Sequence, residues 1–199
     1  MNKEKQAIFE KCLDLYDFTL DNIKSMTETV IRIAKENPNF DVEIDLNTVL
    51  ISFDVVLQYS LLQFATADNE IDKDEVAFIK DLTKHGDFID FVNKVSGSSL
   101  TWAKLVSENI YDFKNTLQDF EVIMEDVSNH FIVPFAYCDA FTEYNYNKDF
   151  REHVELIIYG LCLMDGSADE AEVKQRSVIL GAISRIDLEK EKLLKGFYD

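Results

Sequence analysis

One pattern occurs twice in this chain and limits what it can fold into. Residues 65–78 read A-T-A-D-N-E-I-D-K-D-E-V-A-F, and residues 162–175 read C-L-M-D-G-S-A-D-E-A-E-V-K-Q. Aligned, Asp68 matches Asp165, Asp72 matches Asp169, Glu75 matches Glu172 and Val76 matches Val173. A residue tolerant of left-handed backbone follows the first Asp in each copy, Asn69 in one and Gly166 in the other. Long apolar runs precede both turns, over 55–67 and 154–164. The repeated unit is therefore helix, acidic turn, helix.

The carboxylates of the turn have a local explanation. An apolar residue (Ile71 or Ala168), then Asp72 or Asp169, then Glu75 or Glu172 three further on, then Val, is the order of a helix N-terminus. The Asp caps, the Glu reaches back to the cap and the apolar pair closes a staple. The competing reading is a divalent-cation site. Asp68, Glu70, Asp72 and Asp74 alternate like the first ligands of a calcium loop, and Asp165, Asp169 and Glu172 repeat part of the pattern. The EF-hand match then fails, with Lys73 where the sharp turn needs Gly and Ile79 where a bidentate Glu belongs. The candidate metal ligands are Asp68, Glu70, Asp72, Glu75, Asp165, Asp169 and Glu172, and capping is the preferred role.

Helix, D-[GN]-x-x-x-x-E, helix, repeated in a small acidic all-helical chain, resembles the tellurite-resistance TerB-like family. The stretch L-C-L-M-D-G-S-A-D-E-A-E-V from Leu161 fits that pattern, and I-S-R-I-D-L-E-K-E from Ile183 is similar to the family's closing segment. The first copy departs by carrying Asn69 in place of Gly. The resemblance covers roughly 45–194 and leaves the first forty-odd residues outside it. It implies an intracellular, stress-associated scaffold or sensor, with acidic surface residues proposed to bind metal and no catalytic residues to carry over, and a non-enzymatic interaction module is the expected function.

With only two prolines and six glycines, the chain favours packed helices over disorder. The expected architecture is all-α: an N-terminal helical arm over 1–44, and a helical domain over 45–199 with two pseudo-symmetric repeats around a central apolar helix pair. In the arm, Ile8, Phe9, Cys12, Leu13, Leu15, Tyr16, Leu20, Ile23, Met26, Val30 and Ile33 recur at spacings of three and four, as in one long amphipathic helix or a helix pair over 3–36 that Pro38 stops. That stripe covers the domain core or forms a homodimer contact, the first being preferred. Residues 45–67 and 154–164 are apolar on nearly every side and form the expected central pair, with Gly160 marking a close helix crossing. Further helices are expected over 73–84, 88–95, 102–117, 120–131 and 134–141, the last opening on Pro134.

The net charge of −18 is spread along the chain without an anionic tail. It argues against nucleic-acid and anionic-membrane partners and permits cationic ones. Cys12, Cys138 and Cys162 lack metal-ligand spacing and suit a structural role in a reducing compartment. No signal-like segment or apolar run of eighteen residues stands out, and a cytoplasmic location is expected. His85, His130 and His153 stand apart from any known catalytic spacing, and His153 is expected in a solvated ion pair at a helix start beside Glu152 and Glu155. No nucleotide-binding or nucleophile-elbow motif occurs. Residues 134–150 interleave Phe135, Tyr137, Phe141, Tyr144, Tyr146 and Phe150 with Asp139, Glu143 and Asp149. Most of that run suits core packing plus a Tyr-rich turn. Phe135, Tyr137, Phe141, Tyr144 and Tyr146 are also the candidate contacts for a protein partner.

Overall fold

The computed structural model describes residues 2–36, 44–68, 71, 73–82, 122, 124–125, 127–166 and 169–198. All regular structure among them is helical, and the chain is all-α. The expected helices over 88–95 and 102–117 lie outside the described residues. In chain order the elements are α1 (Lys3–Glu36), α2 (Leu46–Ala65), α3 (Lys73–Leu82), a π-helical turn (Ser128–Ile132), α4 (Val133–Phe141), α5 (Tyr146–Asp165), α6 (Glu170–Ile183) and α7 (Arg185–Tyr198).

The three-and-four stripe makes α1 a single helix of 34 residues. Cys12, Tyr16, Leu20, Ile23, Met26, Val30 and Ile33 are buried from it, and all but Ile33 share one hydrophobic cluster with residues of α2 to α7. Asp45 starts α2 by accepting the Thr48 amide at 2.8 Å, and those hydrogen bonds hold its carboxyl below the usual range. By length and composition α2 could cross a membrane, yet 78% of its apolar window is buried inside the fold. Phe53 stacks on Tyr16 at 5.6 Å and meets the edge of Phe150 at 5.9 Å, so α2 touches both α1 and α5. α3 buries Val76, Phe78, Ile79 and Leu82 as its spacing dictates, and Phe78 packs edge-on against Phe9 of α1 at 5.6 Å.

The expected central pair is a trio. α2 and α5 do meet, but the most extensive neighbour of α5 is α1. The two run antiparallel, because Cys12 lies against Gly160, Thr19 against His153 and Ser25 against Tyr146. Gly160 makes the close crossing its sequence context suggested, with α1 as the partner. A Cβ placed there would sit 2.2 Å from the Cys12 sulfur. Ahead of α4, the Val133 amide donates back five residues to the Ser128 carbonyl. This wider turn lets the path continue into Pro134, which lacks an N–H and crowds an ordinary α-turn.

Candidate functional site

The second acidic turn is a helix cap. α5 ends on Gly166 with φ 123°, a conformation that favours glycine. Asp169 then starts α6: its carboxylate accepts the Glu172 amide at 2.8 Å, and the Glu172 carboxylate accepts the Asp169 amide at 2.8 Å. That reciprocal pair is the capping box expected from the sequence. Glu172 is buried, as is its counterpart Glu75 at the start of α3. Beside Glu75, Asp74 receives a 2.7 Å ion pair from Lys5 of α1, and that hydrogen bond lowers its pKa. Glu70 and Asp72 lie outside the described residues, as does the Asp165 side chain; Asp68 is half-buried. Among the described residues, no group of three or more His, Cys, Asp or Glu side chains is placed to hold a metal.

The aromatic run divides into two parts. Phe135, one of the candidate contacts, lies inside the fold. It is 1% exposed, packed on Phe131 at 4.9 Å and Phe150 at 5.3 Å, and belongs to the core with them. Phe141 and Tyr144 face solvent at 37% and 46% exposure. Tyr137 and Tyr146 are half-buried and support these two, Tyr137 stacked on Phe141 at 5.9 Å and Tyr146 against Tyr144 at 4.3 Å. The Tyr144 hydroxyl donates to the Asp149 carboxylate, which pushes the phenol up to about 12.

A buried carboxylate holds this turn in place. Asp139 of α4 accepts the amides of Tyr146 at 2.7 Å and Asn147 at 3.0 Å, and Asn145 accepts the Lys148 amide at 2.9 Å. The first amides of α5 are thus satisfied, and an acidic group faces the positive end of the helix. Burial raises the Asp139 pKa, against the lowering effect of those amides. Asn147 extends the network by donating to Asp187 of α7 at 2.8 Å.

His153 differs from its expected place. It lies inside α5, half-buried, with Nδ1 at 2.8 Å from the Thr19 hydroxyl and its ring edge-on to Phe18 at 5.4 Å. Thr19 donates its own hydrogen to the Leu15 carbonyl, so the hydroxyl accepts from Nδ1–H of a neutral ring. Burial lowers the His153 pKa. All three cysteines are buried free thiols, with Cys12 pushed up to about 11 and Cys138 to about 12 by burial. Such thiols are poor nucleophiles.

No family model, curated protein or solved structure matches this chain. The surface itself must carry the functional argument. Sequence reasoning missed three exposed apolar residues on neighbouring helices, Phe18 on α1 and Leu156 and Tyr159 on α5, each 54% exposed, as well as Leu188 on α7 at 59%. The signal was present in α5, where Asp149, Glu152 and Glu155 recur every three residues and mark one side of the helix as solvent-facing.

Proposed function

We propose that this chain is a non-enzymatic acidic interaction module, a scaffold or sensor that binds a basic segment of a protein partner. The resemblance to TerB-like proteins suggests a stress-response context. The observation that carries the reading is the α4–α5 turn. It holds Phe141 and Tyr144 out in solvent, beside Glu143 and Asp149, on a chain of net charge −18. Holding aromatics in a fixed position keeps the ordering cost of binding small, and nearby acid attracts lysine and arginine while repelling anionic competitors. Arginine also stacks favourably on such rings.

The test uses the full chain and a Phe141→Ala/Tyr144→Ala variant. Partners captured from cells by the full chain are purified and titrated against both proteins. A partner that binds through a basic segment, and binds the variant about tenfold more weakly, supports the proposal. Equal affinity for both proteins removes the turn from the site.

A further inference from the structure

The exposed turn continues into a longer surface, and the role assigned to that surface rests on the interaction-module reading. Asp149, Glu152, Leu156 and Tyr159 are spaced three, four and three apart along α5, so they share one stripe of the helix. The hydrogen bond from Tyr144 to Asp149 lays the turn's exposed ring at one end of that stripe. On α1, Asp14, Phe18, Asp21 and Ser25 form a second stripe, all exposed. Two contacts fix the stripes side by side: the Ser25 and Tyr146 hydroxyls at 3.2 Å, and the Phe18 ring against His153. The product is an apolar strip of Phe18, Leu156 and Tyr159 with Tyr144 at its end, bordered by Asp14, Asp21 and Glu152. From Asp149 to Tyr159 it runs about 15 Å, roughly three turns of helix. Lys24 and Lys148 are paired with Asp21 at 3.1 Å and Glu152 at 3.8 Å, and Lys11 is exposed one turn before Asp14, so the border of Asp14, Asp21, Asp149 and Glu152 keeps an excess of acid.

Charge decides what covers this strip. A second copy would set the same carboxylates against themselves across a twofold contact, between chains of net charge −18. An anionic membrane or nucleic acid meets the same repulsion. A helix that is apolar on one side and basic on the other matches the strip in both apolar pattern and sign. We infer that the α1–α5 face docks an amphipathic, lysine- or arginine-bearing helix of a partner protein. Its apolar side lies on Phe18, Leu156 and Tyr159, and its cations meet Asp14, Asp21 and Glu152.

The experiment is NMR titration of the full, isotope-labelled chain with a synthetic amphipathic Leu/Lys helix of about 18 residues. A scrambled peptide of the same composition is the control. The amphipathic peptide should shift amide signals around Phe18, Leu156 and Tyr159, and a Leu156→Ser/Tyr159→Ser variant should weaken it about tenfold. Both substitutions are at exposed sites, and circular dichroism verifies that the variant is folded. Equal binding by the scrambled peptide overturns the inference, because charge alone would then account for the affinity. Self-association of the chain through this face overturns it too, in favour of a second copy. Binding centred on Phe141 and Tyr144, and indifferent to the double variant, overturns the longer face while sparing the interaction-module reading. Failure of the amphipathic peptide to bind at all also overturns the face, and the Phe141→Ala/Tyr144→Ala titration then judges the module reading separately.

Discussion

α2 and α5 hold the same place in the two copies of the repeat, each the 20-residue helix that leads into an acidic turn. Their surroundings differ. α2 is enclosed on almost every side, to the point that Asp54 and Gln58 are buried with its apolar residues; Asp54 accepts a 2.8 Å hydrogen bond from Tyr16. α5 is buried along Phe150, Val154, Ile157, Ile158 and Leu161, and presents Glu152, Leu156 and Tyr159 to solvent. One copy of the pattern makes a core element and the other a surface with a core behind it. The repeat therefore specifies helix and turn, while burial is set by how many neighbours each helix receives.

The sharpest test of that contrast is the same truncation applied to each helix. Phe53→Ala removes a fully buried ring from between Tyr16 and Phe150 and should destabilise the chain by about 3–5 kcal/mol in denaturant unfolding. Leu156→Ala on the open side of α5 should stay within about 0.5 kcal/mol. A large loss at Leu156 would show that the face is structural and is covered in the folded chain.

The next effect in size belongs to the place where α5 is most tightly closed. Gly160→Ala puts a methyl 2.2 Å from the Cys12 sulfur, so α1 must shift or Cys12 must change rotamer. Overpacking of this kind costs about 1–3 kcal/mol, against up to about 1 kcal/mol returned by the better helix propensity of Ala. Combining it with Cys12→Ala removes the obstructing atom, so a double-mutant cycle should show favourable coupling. Additive losses would mean that Gly160 is needed for something other than its fit against Cys12.

Much of this could be read from the sequence wherever the determinant is local. The stripe on α1 pointed to one long helix or a helix pair, of which the first is found, and the capping box followed from D-x-x-E at Asp169. Gly160 was recognisable as a crossing because it is the small residue between Tyr159 and Leu161 on an apolar helix. Its partner α1 was not, since nothing in the local pattern of α5 points to Cys12. The division of the aromatic run was hidden for a related reason. Phe135 and Phe150 turn inward and Phe141 and Tyr144 outward because Asp139 anchors the start of α5 and so sets the turn's direction, a tertiary effect. His153 was misplaced because α5 begins at Tyr146, a full two turns before the apolar run from Val154 that suggested the helix.

At the second acidic turn, Asp169→Ala should cost about 1 kcal/mol, the usual loss for an N-cap that accepts a backbone amide. Calcium, magnesium, manganese or zinc should stabilise the variant no less than they stabilise the parent. Stabilisation of the parent by one of these ions, lost in the variant, would restore the cation reading for this copy of the repeat.

The smallest effect is a pH dependence at the seam between α1 and α5. Burial holds the folded-state pKa of His153 below its ordinary 6.5, with Asp149 and Glu152 opposing the shift. The unfolded chain thus takes up a proton from which the folded ring is protected, and the unfolded state binds more protons as pH falls through 6.5. Stability from this site is complete above that pH and declines below it, towards the folded pKa. Asp139, whose pKa is raised, acts with the opposite sign at lower pH, and it is common to parent and variant. The readout is therefore the difference between the parent and His153→Asn, in which the amide nitrogen takes over the donation to Thr19. The parent should lose thermal stability more steeply than the variant as pH falls from about 7.5 to 5.5, the range around the ordinary histidine pKa. Parallel curves would mean that the ring takes up its proton in place, and that the contact of α1 with α5 at Thr19 accommodates the charge.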